Sequence, residues 1–155
     1  MFKKKKVELL ATSDGEIIEL SSLADEAFAS GMLGVGYGIK PTSEVFRAPL
    51  SGIIENVSET RHAYSIIGEC GTEVLVHIGI DTVSLGGDGF ESNVNVGERV
   101  LAGEPIARVD LCRIKEKGLD TSSAVIVTNS DILKSHSVSV GAALGGKTVA
   151  FTAFL

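Results

Sequence analysis

Apolar positions come in short runs of Val, Ile and Leu, broken by clusters of Gly, Asn, Asp and Ser. Such spacing predicts β-strands bounded by turns, here over residues 6–10, 15–19, 36–40, 45–47, 52–57, 63–67, 73–78, 99–101, 105–110, 124–128, 138–140 and 148–151. Eighteen glycines spread along 155 residues work against long helices. Short helical turns are expected over 24–29, 111–117 and 130–135, the last with Asn129 as N-cap. The stretch from Ala11 to Ile18 resembles that from Ala48 to Glu55, and each is a turn feeding a strand. Two copies are too few for a solenoid. They predict an all-β fold, a pseudo-symmetric sandwich or barrel. No linker or low-complexity tract divides the chain, so one domain is expected over 7–155, preceded by a disordered or linker-like stretch over 1–6.

Composition supports one globular core: 44% of residues are hydrophobic and 22% charged. The net charge of −6 argues against a nucleic-acid partner, because phosphate binding needs surplus Lys and Arg. Trp is absent and 5% of residues are aromatic, which removes a stacking platform for single strands. No apolar run approaches the roughly 20 residues that span a bilayer. The basic start Met1–Lys6 is followed by no apolar stretch of the kind a secretory signal carries. Cys70 and Cys112 form no CxxC motif, and free thiols in a reducing cytosol are the plain expectation.

The informative segment runs from Thr60 to Asp81, two β-prone runs joined by a Gly-containing turn. A turn centred between Glu69 and Cys70 sets Ile66 opposite Glu73, Tyr64 opposite Leu75 and His62 opposite His77. Opposed residues share a face and have neighbouring Cβ atoms. In this register Val74, Val76, Ile78 and Ile80 form a core face. Leu75, His77, Gly79 and Asp81 form the other, with Thr60, His62 and Tyr64 across from them. A single strand His is ordinarily structural. Two of the three histidines meeting across one hairpin is a less ordinary arrangement, whereas His136 lies in a Ser-rich loop and reads as a surface residue.

Two opposed imidazoles suit two chemistries. Zinc accepts His nitrogens and a carboxylate, so His62, His77 and Asp81 form a conceivable ligand set for a metal-dependent hydrolase, without HExxH or HxH spacing to support it. Alternatively, a neutral imidazole nitrogen is a nucleophile for phosphoryl transfer, and a second imidazole can orient it and donate to a phosphoryl oxygen. Spacing does not choose between them.

At these residues the sequence resembles the glucose-type enzyme IIA domain of the bacterial phosphoenolpyruvate:sugar phosphotransferase system. The matching strings are Leu75–Val83 and Thr60–Ile66, with further matches at Ala48–Gly52, Gly89-Phe90, Val96–Val100 and Val125–Asn129. The resemblance implies an antiparallel β-sandwich of barrel-sandwich type. It implies that His77 accepts a phosphoryl group on Nε2 from the phosphorylated histidine phosphocarrier protein. His77 then passes it to a cysteine of enzyme IIB, for a sugar crossing through the membrane enzyme IIC. It further implies that His62 contacts the phosphoryl group, that Thr60 fixes His62, that the Gly79 carbonyl accepts from Nδ1–H of His77, and that Asp81 sits at the rim. Phe28, Met32, Leu33, Leu75 and Val83 are implied as an apolar docking ring. No cofactor or catalytic metal is implied, and the location implied is cytoplasmic.

The sequence departs from the family pattern in places. Val35 stands where an Asp is common, Ala124 where a Pro is common, and an amphipathic N-terminal extension found in some members is missing. Biotinyl or lipoyl carrier domains share the turns at Ala48–Gly52 and Val96–Pro105, but they need a modifiable Lys in a hairpin turn, and none stands there. Family members also bind regulatory partners according to phosphorylation, through the same ring.

Overall fold

The computed structural model describes residues 5–155. The chain forms strands β1 (Lys6–Leu10), β2 (Gly15–Glu19), β3 (Val35–Pro41), β4 (Val45–Arg47), β5 (Gly52–Val57), β6 (Ala63–Gly68) and β7 (Glu73–His77). They are followed by β8 (Phe90–Ser92), β9 (Arg99–Val100), β10 (Pro105–Val109), β11 (Ser123–Val127), β12 (Ser135–Val138), β13 (Gly141–Ala143) and β14 (Val149–Phe154). The helices are short, α1 (Glu26–Ala29) and α2 (Leu111–Glu116). Residues 1–4 of the expected linker-like stretch lie outside the described residues, and Lys6 is already the first residue of β1.

Pairing is antiparallel throughout. An eight-stranded sheet runs β13-β2-β3-β11-β7-β6-β5-β9, and two three-stranded sheets run β1-β14-β12 and β4-β10-β8. Their inner faces meet in one core, where Ile17, Tyr37, Ile39, Ile54, Tyr64, Ile66 and Val76 of the large sheet pack with Leu9, Phe46, Ile106 and Phe151 of the small ones. This is a β-sandwich. The buried Tyr37 hydroxyl donates to the Leu10 carbonyl (2.8 Å) and accepts from Thr12 N–H (3.0 Å), so it ties β1 to the turn before β2. The two repeat-like stretches place Gly15 and Gly52 in equivalent positions. A Cβ there would lie 2.1 Å from the Lys40 carbonyl oxygen and 2.2 Å from that of Ile67, so close strand crossing accounts for both glycines.

A second, smaller core lies on the outer face of the large sheet and positions the site. Ala124 and Ile126 of β11 point outward there and are covered by Leu20, Leu23 and Phe28. Every residue of β11 is therefore buried, which explains its unbroken apolar run. Asp25 caps α1, with its Oδ1 accepting from Ala27 N–H at 2.9 Å and Phe28 N–H at 3.4 Å, and so holds Phe28 over the sheet.

The structure corrects several sequence expectations. The β6–β7 connection is the three-residue turn Glu69–Gly71, with Cys70 in the left-handed region (φ 65°). The register is thus shifted by one residue: Ala63 opposes His77, Tyr64 opposes Val76 and Ile66 opposes Val74. Tyr64 consequently lies in the core and not on the histidine face. Asn129 holds the N-cap position of a 3₁₀ turn, Ser130–Ile132, as expected, but makes no side-chain cap bond; its side chain accepts from Glu73 N–H and donates to the Gly71 carbonyl, both at 2.9 Å, pinning the β6–β7 turn. Strands β8 and β13 were unforeseen, and Ser135, expected in a helical turn, opens β12.

Candidate functional site

Alternation along β7 buries Val74 and Val76 and turns Leu75 and His77 to the outer face. Just past the strand, Gly79 takes φ +77°, where an added Cβ would meet Thr82 Cγ2 at 2.3 Å. The kink brings the Gly79 carbonyl back to His77, with Nδ1 to O at 2.9 Å. A carbonyl only accepts, so Nδ1 carries the proton and Nε2 presents its lone pair. Gly79 is itself anchored by Ser123, whose Oγ accepts its N–H at 3.0 Å.

His62 stands just before β6, in a turn where Arg61 takes φ +59°. In a regular pleat the observed register would send its ring into the core beside Tyr64. The turn breaks that pleat: Ser58 Oγ accepts from the backbone N–H groups of both His62 and Ala63 (3.1 Å each). The rings of His62 and His77 therefore meet edge to face, with centroids 4.9 Å apart and planes at 83°. His62 Nδ1 lies 2.6 Å from Thr60 Oγ1 and 3.2 Å from Ser58 Oγ. Both lone pairs of the Ser58 oxygen are occupied by N–H donors, so its hydroxyl proton is what it offers to Nδ1. His62 then carries its own proton on Nε2. The pair is complementary, a lone pair on one ring and an N–H on the other.

The Phe28 ring packs on the third side of His77 at 4.8 Å between centroids. Phe28, expected in the docking ring, is buried and forms a packing wall for the His77 ring. Met32 (77% exposed), Leu33 (39%) and Val83 (57%) are exposed, while Leu75 is half-buried. Asp81, exposed and in the left-handed region, opens the short helical turn Thr82–Leu85 at the rim. His136 is elsewhere, on β12, stacked on Phe151. Sequence reasoning missed Ser58 and the capping role of Asp25. A Ser four residues before a His and an Asp before a helical pattern were the available signals.

Burial pushes both imidazoles below their ordinary value of 6.5. For His77 the neighbouring His62 adds to the depression, against the bond to Gly79 and the charges of Asp25 and Asp81, which work the other way. Both rings are thus neutral at pH 7. Because the folded values are the lower ones, the unfolded chain binds extra protons as pH falls below 6.5. The associated stability is full above pH 6.5 and is lost as pH drops through the folded values. Urea midpoints measured against pH should fall on this acid side, and the fall should be shallower in a His62→Gln, His77→Gln double variant. Equal slopes in the two proteins would contradict the assigned shifts.

Among the described residues, no group of three or more His, Cys, Asp or Glu side chains is arranged to hold a metal ion. His62 and His77 thus meet without a third ligand. The stretch Gly141–Thr148 fits the phosphate-loop pattern GxxxxGK[ST], but that pattern needs a following helix and free loop amides. Here a strand, β14, follows. The amides are already used: Leu144 N–H donates to Thr148 Oγ1 (2.9 Å), Gly145 N–H to Asp14 Oδ1 (2.7 Å), Gly146 N–H to the Ala11 carbonyl (2.8 Å) and Lys147 N–H to the Leu144 carbonyl (3.1 Å). No phosphate cradle exists there. No helix among the described residues is long and apolar enough to cross a membrane.

Comparison with known proteins finds similar sequences and a similar fold. Residues 7–133 match the family described as phosphoenolpyruvate-dependent sugar phosphotransferase system, EIIA 1. The chain is similar to the PTS system glucose-specific EIIA component of Mycoplasma capricolum, at 41% identity over 149 residues, which cover 96% of this chain and 97% of that protein. The solved structure of glucose permease IIA from the same organism superimposes with a TM-score of 0.90 at 41% identity, over 97% of this chain and 98% of that one. The PTS system glucose-specific EIICBA component of Streptococcus pneumoniae is 38% identical over 147 residues, which are 95% of this chain but 20% of that longer protein.

Proposed function

The chain belongs to the EIIA 1 family of the phosphoenolpyruvate-dependent sugar phosphotransferase system, and from that premise we propose that His77 is its phosphoryl-carrying residue and Nε2 the bonding atom. The protein is a phosphoryl-transfer component of sugar transport. In this reading the donor is the phosphorylated histidine phosphocarrier protein, the acceptor is a cysteine of enzyme IIB, and the membrane enzyme IIC moves the sugar. The EIICBA relative bears on the second half, because its name joins a IIA component to IIB and IIC in one protein. The sugar is selected by IIB and IIC, so the chemistry at His77 is the same whichever sugar they carry. The setting is the cytoplasm, where the donor works.

One observation supports the choice of atom: the 2.9 Å bond from His77 Nδ1–H to the Gly79 carbonyl, which leaves Nε2 unprotonated. The Nε2 lone pair attacks phosphorus, a new P–N bond forms, and the donor's P–N bond breaks with its electron pair returning to the donor imidazole. His62 Nε2–H donates to an equatorial phosphoryl oxygen, where charge must be balanced. Phe28 on one side and His62 on the other hold the His77 ring so that little orientation is lost on attack. Transfer to enzyme IIB repeats the step with a thiolate as nucleophile and Nε2 as the leaving nitrogen.

Docking follows from exposure and charge. Met32, Leu33 and Val83 form an apolar rim that excludes water when a partner seats, which protects a labile phosphohistidine. Asp25 and Asp81 beside His77, in a chain of net charge −6, favour a basic donor surface. Val83→Asp should therefore raise the KM for the phosphorylated donor about tenfold, the usual scale for a central interface side chain, with kcat little changed. An unaltered KM would remove Val83 from the interface. The functional reading itself is tested by incubation with phosphoenolpyruvate and the general phosphotransferase proteins. One acid-labile, base-stable phosphate per chain is expected; a chain that takes up none contradicts it.

A further inference from the structure

Resting on the phosphoryl-carrier reading, we infer that Arg61 is a positioning residue for this site: its guanidinium clamps the rim segment 81–90 to the turn that carries His62.

The two histidines sit on separate stretches of chain, and the β6–β7 ladder that joins them ends at the Ala63–His77 pair. Beyond it, the Ile78 N–H donates to the His62 carbonyl at 2.7 Å. Arg61 continues the connection further out. Its Nε–H donates to the Phe90 carbonyl at 2.9 Å and its Nη2–H to the Gly87 carbonyl at 3.2 Å. The planar fork thus spans both carbonyls at the far end of the segment that holds Asp81 and the exposed Val83. Gly87 is shaped to receive it: a Cβ at that residue would stand 2.6 Å from Arg61 Nη2.

The backbone gives a second argument. Arg61 occupies the left-handed region (φ +59°), which Gly or Asn adopts more readily than Arg. The turn alone does not call for a long cationic side chain. The two carbonyls do, because a charged donor makes the stronger hydrogen bond and Arg alone can serve both at fixed spacing. Arg61 is flanked by Thr60 and His62, so any movement of the clamp displaces the phosphoryl-facing ring and the docking rim relative to one another.

The test separates the side chain from the backbone strain. Arg61→Gly keeps the preferred conformation and deletes the fork, Arg61→Ala deletes the fork under strain, and Arg61→Lys keeps the charge with a single donor group. Arg61→Gly should raise the KM for the phosphorylated donor about tenfold, the scale of lost charge-assisted bonds, while kcat falls less. Amide exchange over residues 82–92 should quicken by a similar factor, with the thermal midpoint held. Arg61→Ala should match it, and Arg61→Lys should recover part of the loss. Wild-type KM and wild-type exchange in Arg61→Gly would overturn the inference, and so would a kinetic loss with exchange unchanged. A wild-type chain that takes up no phosphoryl group refutes the carrier reading instead; the exchange comparison then decides the clamp alone, upheld if faster and overturned if unchanged.

Discussion

His77→Ala is expected to take up no phosphoryl group from the phosphorylated histidine phosphocarrier protein, even at long incubation. In the proposed mechanism the variant removes the nitrogen that bonds phosphorus, and the neighbouring imidazole does not replace it. His62 is the other imidazole in the site, but its Nδ1 is engaged by Thr60 and Ser58 and its Nε2 is the protonated nitrogen. A protonated ring nitrogen has no lone pair in the plane to attack with. His62 is also mostly buried, at 8% exposure, whereas His77 is half-buried. Autoradiography after native electrophoresis, with alkali to preserve phosphohistidine, measures the uptake. Label on His77→Ala at the wild-type level would mean that another residue is the carrier. The fold should survive, because His77 is half-buried on the outer face and contributes nothing to the main core.

His62→Ala is expected to slow transfer through His77 by about 10²- to 10³-fold, the scale for losing one preorganised donor to a developing charge. The substitution removes the Nε2–H that meets the phosphoryl oxygen in the proposed mechanism and frees the hydroxyls of Ser58 and Thr60 from their ring partner. It also opens space beside His77, whose ring then keeps only Phe28 and the bond to the Gly79 carbonyl to hold it. His62→Gln returns an N–H donor and should recover part of the rate. Rapid-quench measurement of both half-reactions, with thermal unfolding recorded in parallel, distinguishes the lost donor from a loosened fold. A rate within threefold of wild type in His62→Ala would show that the second imidazole does not touch the reacting group.

Much of the architecture was legible because strand positions depend on alternation and turn residues, which a single sequence displays. The inner faces of β6 and β7 are an example: Ile66, Val74 and Val76 repeat at every second position and are all buried. Register was less legible, because it is set by the number of residues in the turn. A left-handed Cys70 makes the turn three residues long and moves every pair by one. Left-handed non-glycine residues carry no pattern that hydropathy reveals. The meeting of the two rings survived this shift for a local reason. Arg61 and the doubly accepting Ser58 lift His62 out of the pleat, so its ring reaches the His77 face from a position that regular pairing would send inward.

Other differences arise from the same limits. Phe28 was expected among docking residues, yet it is the centre of a second small core, because Ala124 and Ile126 on β11 present an outer apolar face that needs a cover. A strand buried on both sides shows no alternation, so nothing in its own residues says what covers it. Strands β8 and β13 are three residues each, and Gly141–Ala143 has no β-branched residue to mark it. The tautomer of His77 was implied only through the family resemblance, and that of His62 was beyond the sequence, since it depends on which oxygen atoms stand beside its Nδ1.

In the proposed mechanism the Gly79 carbonyl, by holding the proton on Nδ1, makes Nε2 of His77 the phosphoryl acceptor. Long-range ¹H–¹⁵N correlation spectra of uniformly ¹⁵N-labelled protein, recorded before and after enzymatic phosphorylation, read that atom directly. The account predicts a neutral Nδ1–H tautomer for His77 before reaction, and afterwards a phosphorus-coupled nitrogen at Nε2 of His77 with Nδ1 still protonated. Phosphorus coupling at Nδ1 of His77, or at either nitrogen of His62, would contradict it.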